Sequence, residues 1–311
     1  MKRGSNSVDI ICCVRNPGSS FVDTVNSVLN QTFTKFKLIV VDDGSTKLEH
    51  ISFLKHLQVI DERVNVFFQP MSLGLTKNLY DQVRRSRAEF IARIDAGDTW
   101  DKNKLAIQVK YMLEHKDLLI LGTQCIYANK CQNLGRSWFK ESYSDILTSV
   151  EYRRGIFEHS SILFRNELNY REAFTYSQDL DLYLRAIIKG RIECLPDILT
   201  KCQINFDGIT INKRFLQLHF QRLAYKSFNS VCLNGRDVDL SISLKGYEPY
   251  CWSLSKYFYK KYVLYRTTKA SSIMWASNLL VAMLIYPPLL LDNYRRVFKS
   301  NTQSVQSLKK I

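Results

Sequence analysis

The first hundred residues alternate between short apolar runs and segments of helical period, and this alternation restricts the fold more than any other feature. The apolar runs predict buried strands at 8–14, 36–41, 64–69 and 90–94. Apolar residues at helical spacing predict helices at 21–31, 48–60 and 75–86. Strands that alternate with helices form right-handed βαβ units. We therefore expect an α/β fold with a mostly parallel, Rossmann-like sheet sandwiched by helices.

The rest of the chain predicts further elements and then a change of character. We expect a helix at 105–115, strands at 118–127 and 160–164, and a helix at 179–189. Beyond residue 210 the sequence predicts helices rich in Phe, Tyr, Lys and Arg. The expected organisation is one domain made of the halves 1–100 and 101–212, followed by a helical, basic C-terminal extension at 213–311.

Polar side chains stand at the carboxyl ends of three predicted strands. Asn16 follows the first strand, Asp42 and Asp43 follow the second, and Asp95 and Asp98 follow the fourth. In open α/β sheets, ligands bind at the carboxyl ends of the strands. We therefore expect these side chains to share one ligand-binding edge.

Asp95 and Asp98 are candidate ligands for a divalent cation. Mg²⁺ and Mn²⁺ take oxygen ligands, commonly one or two carboxylates plus the phosphates of a substrate. The same residues also suit a polar turn with a helix N-cap, because Asp and Gly favour such positions. Asp42 and Asp43 have two interpretations as well, a simple turn or hydrogen bonding to a base and ribose. The residues alone leave these alternatives open.

Several classes of protein have little support. No G-x-G-x-x-G follows the first strand and no G-x-x-x-x-G-K occurs, which disfavours a dehydrogenase or a P-loop protein. The eight Cys include no C-x-x-C pair, which disfavours a cysteine-based zinc site. No signal peptide is visible at the N-terminus, so we expect free thiols in a reducing, cytosolic compartment.

Six short motifs follow one another along the chain: IICCVRN (10–16), SVLNQTF (27–33), VVDDGST (40–46), LGLTKN (73–78), IDAGD (94–98) and YSQDLDLYLR (176–185). Each motif is weak alone, but the order is specific. Over roughly residues 8–210, this ordered set resembles the family 2 inverting glycosyltransferases of GT-A type.

The resemblance implies a nucleotide-diphospho-sugar donor, Mn²⁺ or Mg²⁺, and inversion at the anomeric carbon. It places the donor in the half 1–100, beside Asn16, Asp42, Asp43, Asn78 and Asp95, and the acceptor in the half 101–212. Asp98 and Asp95 would hold the metal, which stabilises charge on the leaving diphosphate. Asp179 would be the general base, since a positioned carboxylate can take the proton of an acceptor hydroxyl.

The chain departs from the family pattern at several positions. The family usually has a third acid at the position of Gly97 and a Glu at that of Gln178, while Cys13 and Arg15 replace a proline and a tyrosine. An Arg and a His that approach the donor phosphates correspond to Gln203 and Asn205, where Lys201 is a candidate replacement. These departures leave a metal site with fewer acids.

Five further residues have functional or structural interpretations. His159, Gln178 and Lys201 are candidate contacts for acceptor or donor, although a packed, hydrogen-bonded role for His159 is favoured. Asp181 is interpreted as a helix-surface or capping acid. Arg185 is interpreted as structural, pairing with an acid of its own helix.

The C-terminal third carries most of the charge. The net charge is +15, and residues 213–311 contain 16 Lys and Arg against 4 Asp and Glu, a difference of +12. Aromatic and cationic residues interleave at 247–269, and an apolar run at 274–291 is broken by Pro287 and Pro288. This pattern favours an interfacial helix on an anionic membrane over a membrane span, with a buried core helix as the alternative. No nucleic-acid module is present, so nucleic acid is not an expected partner.

The expected function is therefore a cytoplasmic glycosyltransferase, peripheral on the inner face of the cell membrane. It would extend a glycan or lipid-linked glycan acceptor, in surface polysaccharide biosynthesis. One alternative is a catalytically degenerate, glycosyltransferase-fold binding subunit, which Gly97, Gln203 and Asn205 favour. A nucleotidyltransferase is disfavoured because no glycine-rich basic loop follows the first strand.

Overall fold

The computed structural model describes residues 4–129, 132–204 and 214–240. The strands are β1 Gly4–Val14, β2 Phe36–Asp42, β3 Val64–Phe68, β4 Ala88–Arg93, β5 Thr99–Trp100, β6 Leu118–Ala128, β7 Asn133–Arg136, β8 Leu163–Arg165 and β9 Arg191–Gln203. The helices are α1 Ser20–Leu29, α2 Leu48–Ile60, α3 Leu75–Arg85, α4 Lys104–Glu114, α5 Tyr143–Glu151, α6 Gln178–Lys189 and α7 Arg214–Asn234.

The strands form one sheet in the order β3-β2-β1-β4-β8-β6-β9-β5, with β7 paired to β6. Pairing is parallel between β3, β2, β1 and β4, and again between β6 and β9. The pairings of β5, β7 and β8 are antiparallel. The predicted α/β fold is confirmed, with a parallel first half and a mixed second half.

Alternating side chains of β1 explain why this strand lies at the centre of the first half. Val8, Ile10, Cys12 and Val14 are buried in a core that also contains the apolar faces of α1 and α2. The intervening side chains point to the opposite face of the sheet, on which α3 packs. A strand buried on both faces reads as a continuous apolar run, as 8–14 does.

The second half differs from the prediction in two ways. The strand predicted at 160–164 is instead a 3-10 turn, His159–Ser161, followed by β8. The helix α5 and the strands β5, β7 and β9 were not predicted. The strand β9 contains Pro196 and three consecutive exposed residues, because its register against β6 shifts there, and such a bulge hides the period of a strand.

Contacts divide the chain into two units, 1–146 with 155–203 and 147–154 with the residues from 204 onward. All nine strands belong to the first unit. The described part of the second unit contains α7, in which Leu218, Leu223 and Phe228 are buried. The aromatic and apolar segments predicted at 247–269 and 274–291 lie outside the described residues. Within the described ranges, no helix is long and apolar enough to cross a bilayer.

Lys104, at the start of α4, is buried, and no acid among the described residues forms an ion pair with it. Its Nζ donates a hydrogen bond to Gln108 Oε1 at 2.8 Å and lies 4.1 Å from the centroid of the Trp100 ring. Burial lowers the pKa of this lysine to about 7. Between pH 7 and the ordinary lysine pKa, the unfolded chain therefore holds a proton that the folded chain lacks.

We expect the Lys104→Met variant to lose a pH dependence of stability. The free energy of unfolding of the wild type gains about 1.4 kcal/mol per pH unit from this lysine above pH 7, because the unfolded state binds the extra proton. Urea unfolding at pH 7 and pH 9 should show that the variant gains about 2 kcal/mol less than the wild type. Lys110→Met, at an exposed position of the same helix, is the control. Equal pH dependence in all three proteins contradicts the prediction.

Candidate functional site

The predicted polar residues meet at the carboxyl edge of the parallel half-sheet. Val14 pairs with Asp42 at the ends of β1 and β2, and Ile11 pairs with Arg93 at the end of β4. The segments that follow these strands therefore emerge side by side, as expected for parallel neighbours. They carry Asn16, Asp43 and Asp95.

Asp43 is held by four donors from the loop before α3 and from α3 itself. Its carboxylate accepts hydrogen bonds from Ser72 Oγ at 2.6 Å, Leu73 N at 2.7 Å, Gly74 N at 3.2 Å and Asn78 Nδ2 at 2.7 Å. Burial raises the pKa of this carboxyl, but the hydrogen bonds outweigh burial and lower it overall. Asp43 is therefore ionised and rigidly oriented.

The loop after β2 lies against the loop before α3 because residue 44 is a glycine. Gly44 has φ +71°, and a Cβ there would lie 2.8 Å from the backbone of Met71 and Ser72. Asp42 is 2% exposed, and its Oδ1 accepts a hydrogen bond from Ser45 N at 3.1 Å. Asp42 thus closes the turn that presents Asp43.

Asn78 holds Asp43 from the first turns of α3. It is completely buried, its Nδ2 donates to Asp43, and its Oδ1 accepts from Gln69 Nε2 at 3.2 Å. Asn78 therefore positions Asp43, and its contact with a donor stays a prediction. A short, buried amide can reach the carboxylate only because α3 begins directly beside it.

Asn16 joins the loops that follow β1 and β2. It adopts φ +48°, a left-handed conformation that asparagine tolerates. Its Oδ1 accepts hydrogen bonds from the backbone of Thr46 at 3.0 Å and Lys47 at 3.2 Å, and its backbone N donates to Ser45 Oγ at 2.7 Å. Asn16 therefore shapes this edge of the site from within.

A buried arginine, Arg93, lies at the centre of the acidic cluster. Its side chain is 4% exposed and forms two parallel hydrogen bonds with the carboxylate of Asp95, whose side chain is 51% exposed. The Nε of Arg93 has no hydrogen-bond partner among the described residues. The prediction from sequence overlooked Arg93, although a cation two positions before Asp95 in an apolar strand must share its face of the sheet.

Asp98 lies deeper than Asp95. Its Oδ1 accepts a hydrogen bond from Gln203 N at 2.8 Å, and its carboxylate also accepts one from the Ser160 hydroxyl. Burial, and then the negative charge of Asp95, raises the pKa of Asp98 to about 7. Between the two acids, Gly97 has φ +108°, and its N donates to Thr24 Oγ1 at 2.9 Å.

The donor set fits a divalent cation that a substrate helps to hold. The negative charge of Asp95 raises the pKa of Asp98, and a cation beside the two carboxylates would relieve that repulsion. No group of three His, Cys, Asp or Glu side chains in the described residues is arranged to hold a metal alone. Mg²⁺ and Mn²⁺ commonly use one or two carboxylates and take the remaining oxygens from phosphates. Asp95 and Asp98 match that requirement.

Asp179 is the second residue of α6 and is partly buried. Burial raises the pKa of its carboxyl, the charge of Arg93 lowers it, and the charge of Asp95 raises it further. Asp179 and Asp95 are therefore within electrostatic range of each other and of Arg93. Ser177, the residue before α6, adopts a left-handed conformation at φ +55°.

A second carboxyl, Glu158, lies beside Asp179 and was not predicted from sequence. It accepts a hydrogen bond from Tyr127 Oη at 2.8 Å. Burial and the charges of Asp179 and Asp95 raise the pKa of Glu158 to about 7, against the opposing effects of the Tyr127 hydrogen bond and of Arg93. No short motif signals this residue, because its neighbours come from β6, β4 and α6.

His159 is a packed histidine, as favoured from the sequence. It is 7% exposed, and its Nε2 lies 2.7 Å from Tyr170 Oη. Burial and the nearby charge of Arg93 hold its pKa well below the ordinary value. The imidazole is therefore neutral, and contact of His159 with a donor or acceptor stays a prediction.

The structure corrects the interpretation of Asp181 as a helix-surface or capping acid. It is not a surface acid but 1% exposed, and it forms ion pairs with Arg171 and with Arg185, the latter at 2.9 Å. The predicted pairing of Arg185 with an acid of its own helix is confirmed. Arg171 could not be anticipated as a partner because it comes from the loop before α6.

The remaining candidates lie around the cluster. Gln178 is buried at the first position of α6. Lys201 is exposed on β9, where it pairs with Thr99, and Thr99 directly follows Asp98 in the sequence. Gln203 reaches Asp98 with its backbone. Contacts of these residues with a donor or acceptor stay predictions.

The chain resembles known proteins in sequence and in fold. The family described as "Glycosyl transferase family 2" matches residues 9–175. The Escherichia coli "O-antigen biosynthesis glycosyltransferase WbnJ" is 28% identical over 193 residues, which cover 60% of this chain and 74% of that protein. An "Uncharacterized glycosyltransferase" of Haemophilus influenzae is 22% identical over 213 residues, 64% of this chain and 65% of that protein.

A solved structure shares the fold at low sequence identity. It is "Mannosyltransferase PcManGT from Pyrobaculum calidifontis in complex with GDP-Man and Mn2+", with a TM-score of 0.53 and 14% identity over 97% of this chain and 86% of the other. Identity at this level establishes the fold alone. The sequence match to the Haemophilus protein spans slightly less than two thirds of that relative's length.

Proposed function

Since the chain belongs to glycosyl transferase family 2, we propose that it transfers a sugar, with inversion, from a nucleotide-diphosphate donor to a hydroxyl group of a glycan. The observation that carries the proposal is the group of Asp95, Asp98 and Asp179 around the buried guanidinium of Arg93. This group joins a cation-binding pair of carboxylates to a separate carboxylate that can act on an acceptor.

The donor would bind at the edge formed by the ends of β1, β2 and β4. Asp43, ionised and held by four donors, would accept hydrogen bonds from the nucleoside, and Asp42 and Asn16 would keep its loop in place. Asp95 and Asp98 would hold Mn²⁺ or Mg²⁺ together with the diphosphate. When bound, the cation supplies charge stabilisation for the leaving diphosphate.

Asp179 would act as the general base. The acceptor hydroxyl gives its proton to a carboxylate oxygen of Asp179 while its oxygen forms a bond to the anomeric carbon. The bond from that carbon to the diphosphate breaks, and its electron pair leaves with the diphosphate. One displacement inverts the anomeric configuration and needs no covalent enzyme intermediate. The raised pKa of Asp179 brings its basicity closer to that needed for proton transfer.

The acceptor is proposed as a glycan or lipid-linked glycan of surface polysaccharide biosynthesis. The name of the Escherichia coli relative, an O-antigen biosynthesis enzyme, supports the pathway class. The charge of +12 in residues 213–311 supports contact of this extension with an anionic membrane surface. The division into a donor half at 1–100 and an acceptor half at 101–212, and a site on the inner face of the membrane, belong to the same proposal.

A catalytically degenerate binding subunit is the second candidate. Gly97 supplies no carboxylate, and Gln203 supplies only a backbone N–H to Asp98. Such a protein would keep the sheet and the Asp43 loop but lose metal-dependent donor binding.

Calorimetry with UDP-, GDP- and dTDP-sugars, each with and without Mn²⁺, tests the proposed function. We expect one donor class to bind at least about 10-fold more tightly when Mn²⁺ is present, because the diphosphate completes the shell of Asp95 and Asp98. The same donor should be hydrolysed slowly when no acceptor is supplied. Saturable, Mn²⁺-independent binding of every donor without hydrolysis would instead indicate the degenerate subunit.

A further inference from the structure

A cavity of about 630 Å³ lies behind the donor edge, near the amino ends of the parallel strands. Val8, Phe36 and Ala88, at the starts of the paired segments of β1, β2 and β4, line it. The candidate active site lies at the opposite, carboxyl ends of the same strands. The two sites are therefore separate, and the second has no role in the transfer reaction proposed above.

The rim of this cavity, called here the rear cavity, is basic. Lys35, Lys37, Arg85 and Arg87 are exposed side chains that line it. The single acid in its lining is Asp9, whose Oδ2 accepts a hydrogen bond from Ser86 Oγ at 2.6 Å. Four cations against one hydrogen-bonded carboxyl make a positive entrance, which attracts anions.

The interior of the rear cavity combines an apolar wall with an unpaired donor. Ile39 and the partly exposed ring of Phe67 supply the wall. Gln82 is 1% exposed, and its Nε2 has no hydrogen-bond partner among the described residues. A buried N–H without an acceptor is unfavourable, and a ligand oxygen would relieve it.

We propose that the rear cavity binds an amphiphilic anion, a phosphate ester whose apolar body lies against Phe67 and Ile39. Its phosphate oxygens face the basic rim and accept a hydrogen bond from the Gln82 amide. The cavity volume is within the range that holds ligands of this size. A membrane lipid that carries a phosphate and a soluble phosphorylated metabolite share this chemistry.

Octyl phosphate, kept below its micelle concentration, is the probe for the full-length protein. We expect saturable binding by calorimetry, and at least about 10-fold weaker binding to Arg85→Glu, because a cation at the rim becomes an anion. The matched control is Arg84→Glu, since Arg84 is exposed on the same helix but does not line the cavity. Equal weakening in both variants, or no saturable binding to the wild type, overturns the proposal.

Two further measurements separate the parts of the binding site. Gln82→Leu should weaken the binding of octyl phosphate by several fold with little change in Tm, because it replaces the donor with an apolar side chain of similar size. Inorganic phosphate and octanol should each bind at least about 10-fold more weakly than octyl phosphate, since each lacks one half of the ligand. Inorganic phosphate that binds as tightly as octyl phosphate contradicts an amphiphilic site.

Vesicles identify the source of the ligand. Co-sedimentation with vesicles that contain phosphatidic acid should fall for Arg85→Glu but not for Arg84→Glu if the ligand is a membrane lipid. Unchanged sedimentation of both variants, together with weakened octyl phosphate binding to Arg85→Glu, assigns the site to a soluble phosphate ester. Arg85→Glu and Arg84→Glu should both leave donor binding at the carboxyl edge unchanged. The test of the rear cavity is therefore independent of the proposed transferase activity.

Discussion

Replacement of Asp179 by asparagine is expected to lower kcat for sugar transfer by about 10²–10⁴-fold, the range that general base catalysis contributes. The amide keeps the shape of the side chain but cannot accept the proton of the acceptor hydroxyl. Donor affinity should change by less than about 3-fold, because the donor is proposed to bind at Asp43, Asp95 and Asp98. Turnover assays and donor calorimetry on the same preparations separate the two effects.

The neighbouring carboxyl provides the control for this assignment. Glu158→Gln should lower kcat by at most about 10-fold, because Glu158 is not proposed to take the acceptor proton. The charge of Asp179 raises the pKa of Glu158, so Asp179→Asn should lower the pKa of Glu158. Unchanged turnover in Asp179→Asn, or a larger loss in Glu158→Gln than in Asp179→Asn, would overturn the choice of base.

Removal of the buried cation at the centre of the site should have the largest effect on stability. The Arg93→Leu variant leaves Asp95 without its partner. It also removes the positive charge that offsets repulsion among the carboxylates of Asp98, Asp179 and Glu158. Truncation of one member of a fully buried ion pair costs about 3–5 kcal/mol, and the half-exposed side chain of Asp95 keeps the cost here below that range. We therefore expect urea unfolding of the variant at pH 8 to show a loss of about 1–3 kcal/mol, with a smaller loss at pH 5, where the acids of raised pKa take up protons.

A double replacement distinguishes charge balance from packing. Arg93→Leu combined with Asp95→Leu should recover part of the stability, since neither an isolated buried cation nor its paired anion remains. Arg84→Leu, at an exposed position of α3, should change stability by less than about 0.5 kcal/mol and is the control. A loss that is equal in the single and the double variant contradicts the ion-pair explanation.

The parallel half of the fold and the positions of its acids could be predicted because both depend on local patterns. An apolar strand that stops at Asp42 or before Asp95 identifies a carboxyl end, and parallel neighbours bring such ends together. The ordered motifs around Asp43, Asp98 and Asp179 then indicated the family, which the match over residues 9–175 confirms. Each of these predictions depends on residues that lie close together in the sequence.

The rest depends on contacts between residues far apart in the chain. The hydrogen bond from Gln203 N to Asp98 joins residues 105 positions apart, and that between Tyr127 and Glu158 joins β6 to the 3-10 turn. The burial of Asp181 requires Arg171, which no helical period predicts. Asn78 occupies a motif position yet faces inward, because motif order identifies a segment but not the direction of each side chain.

The conformation of Gly97 bears on the evolutionary history of the site. The family usually has an acid at this position, and a single base change converts a glycine codon to an aspartate codon. Yet a backbone at φ +108° is one that residues with a Cβ rarely adopt. Regaining that acid here would require the turn itself to rearrange, so one mutation does not reverse the difference, and neighbouring positions must change with it.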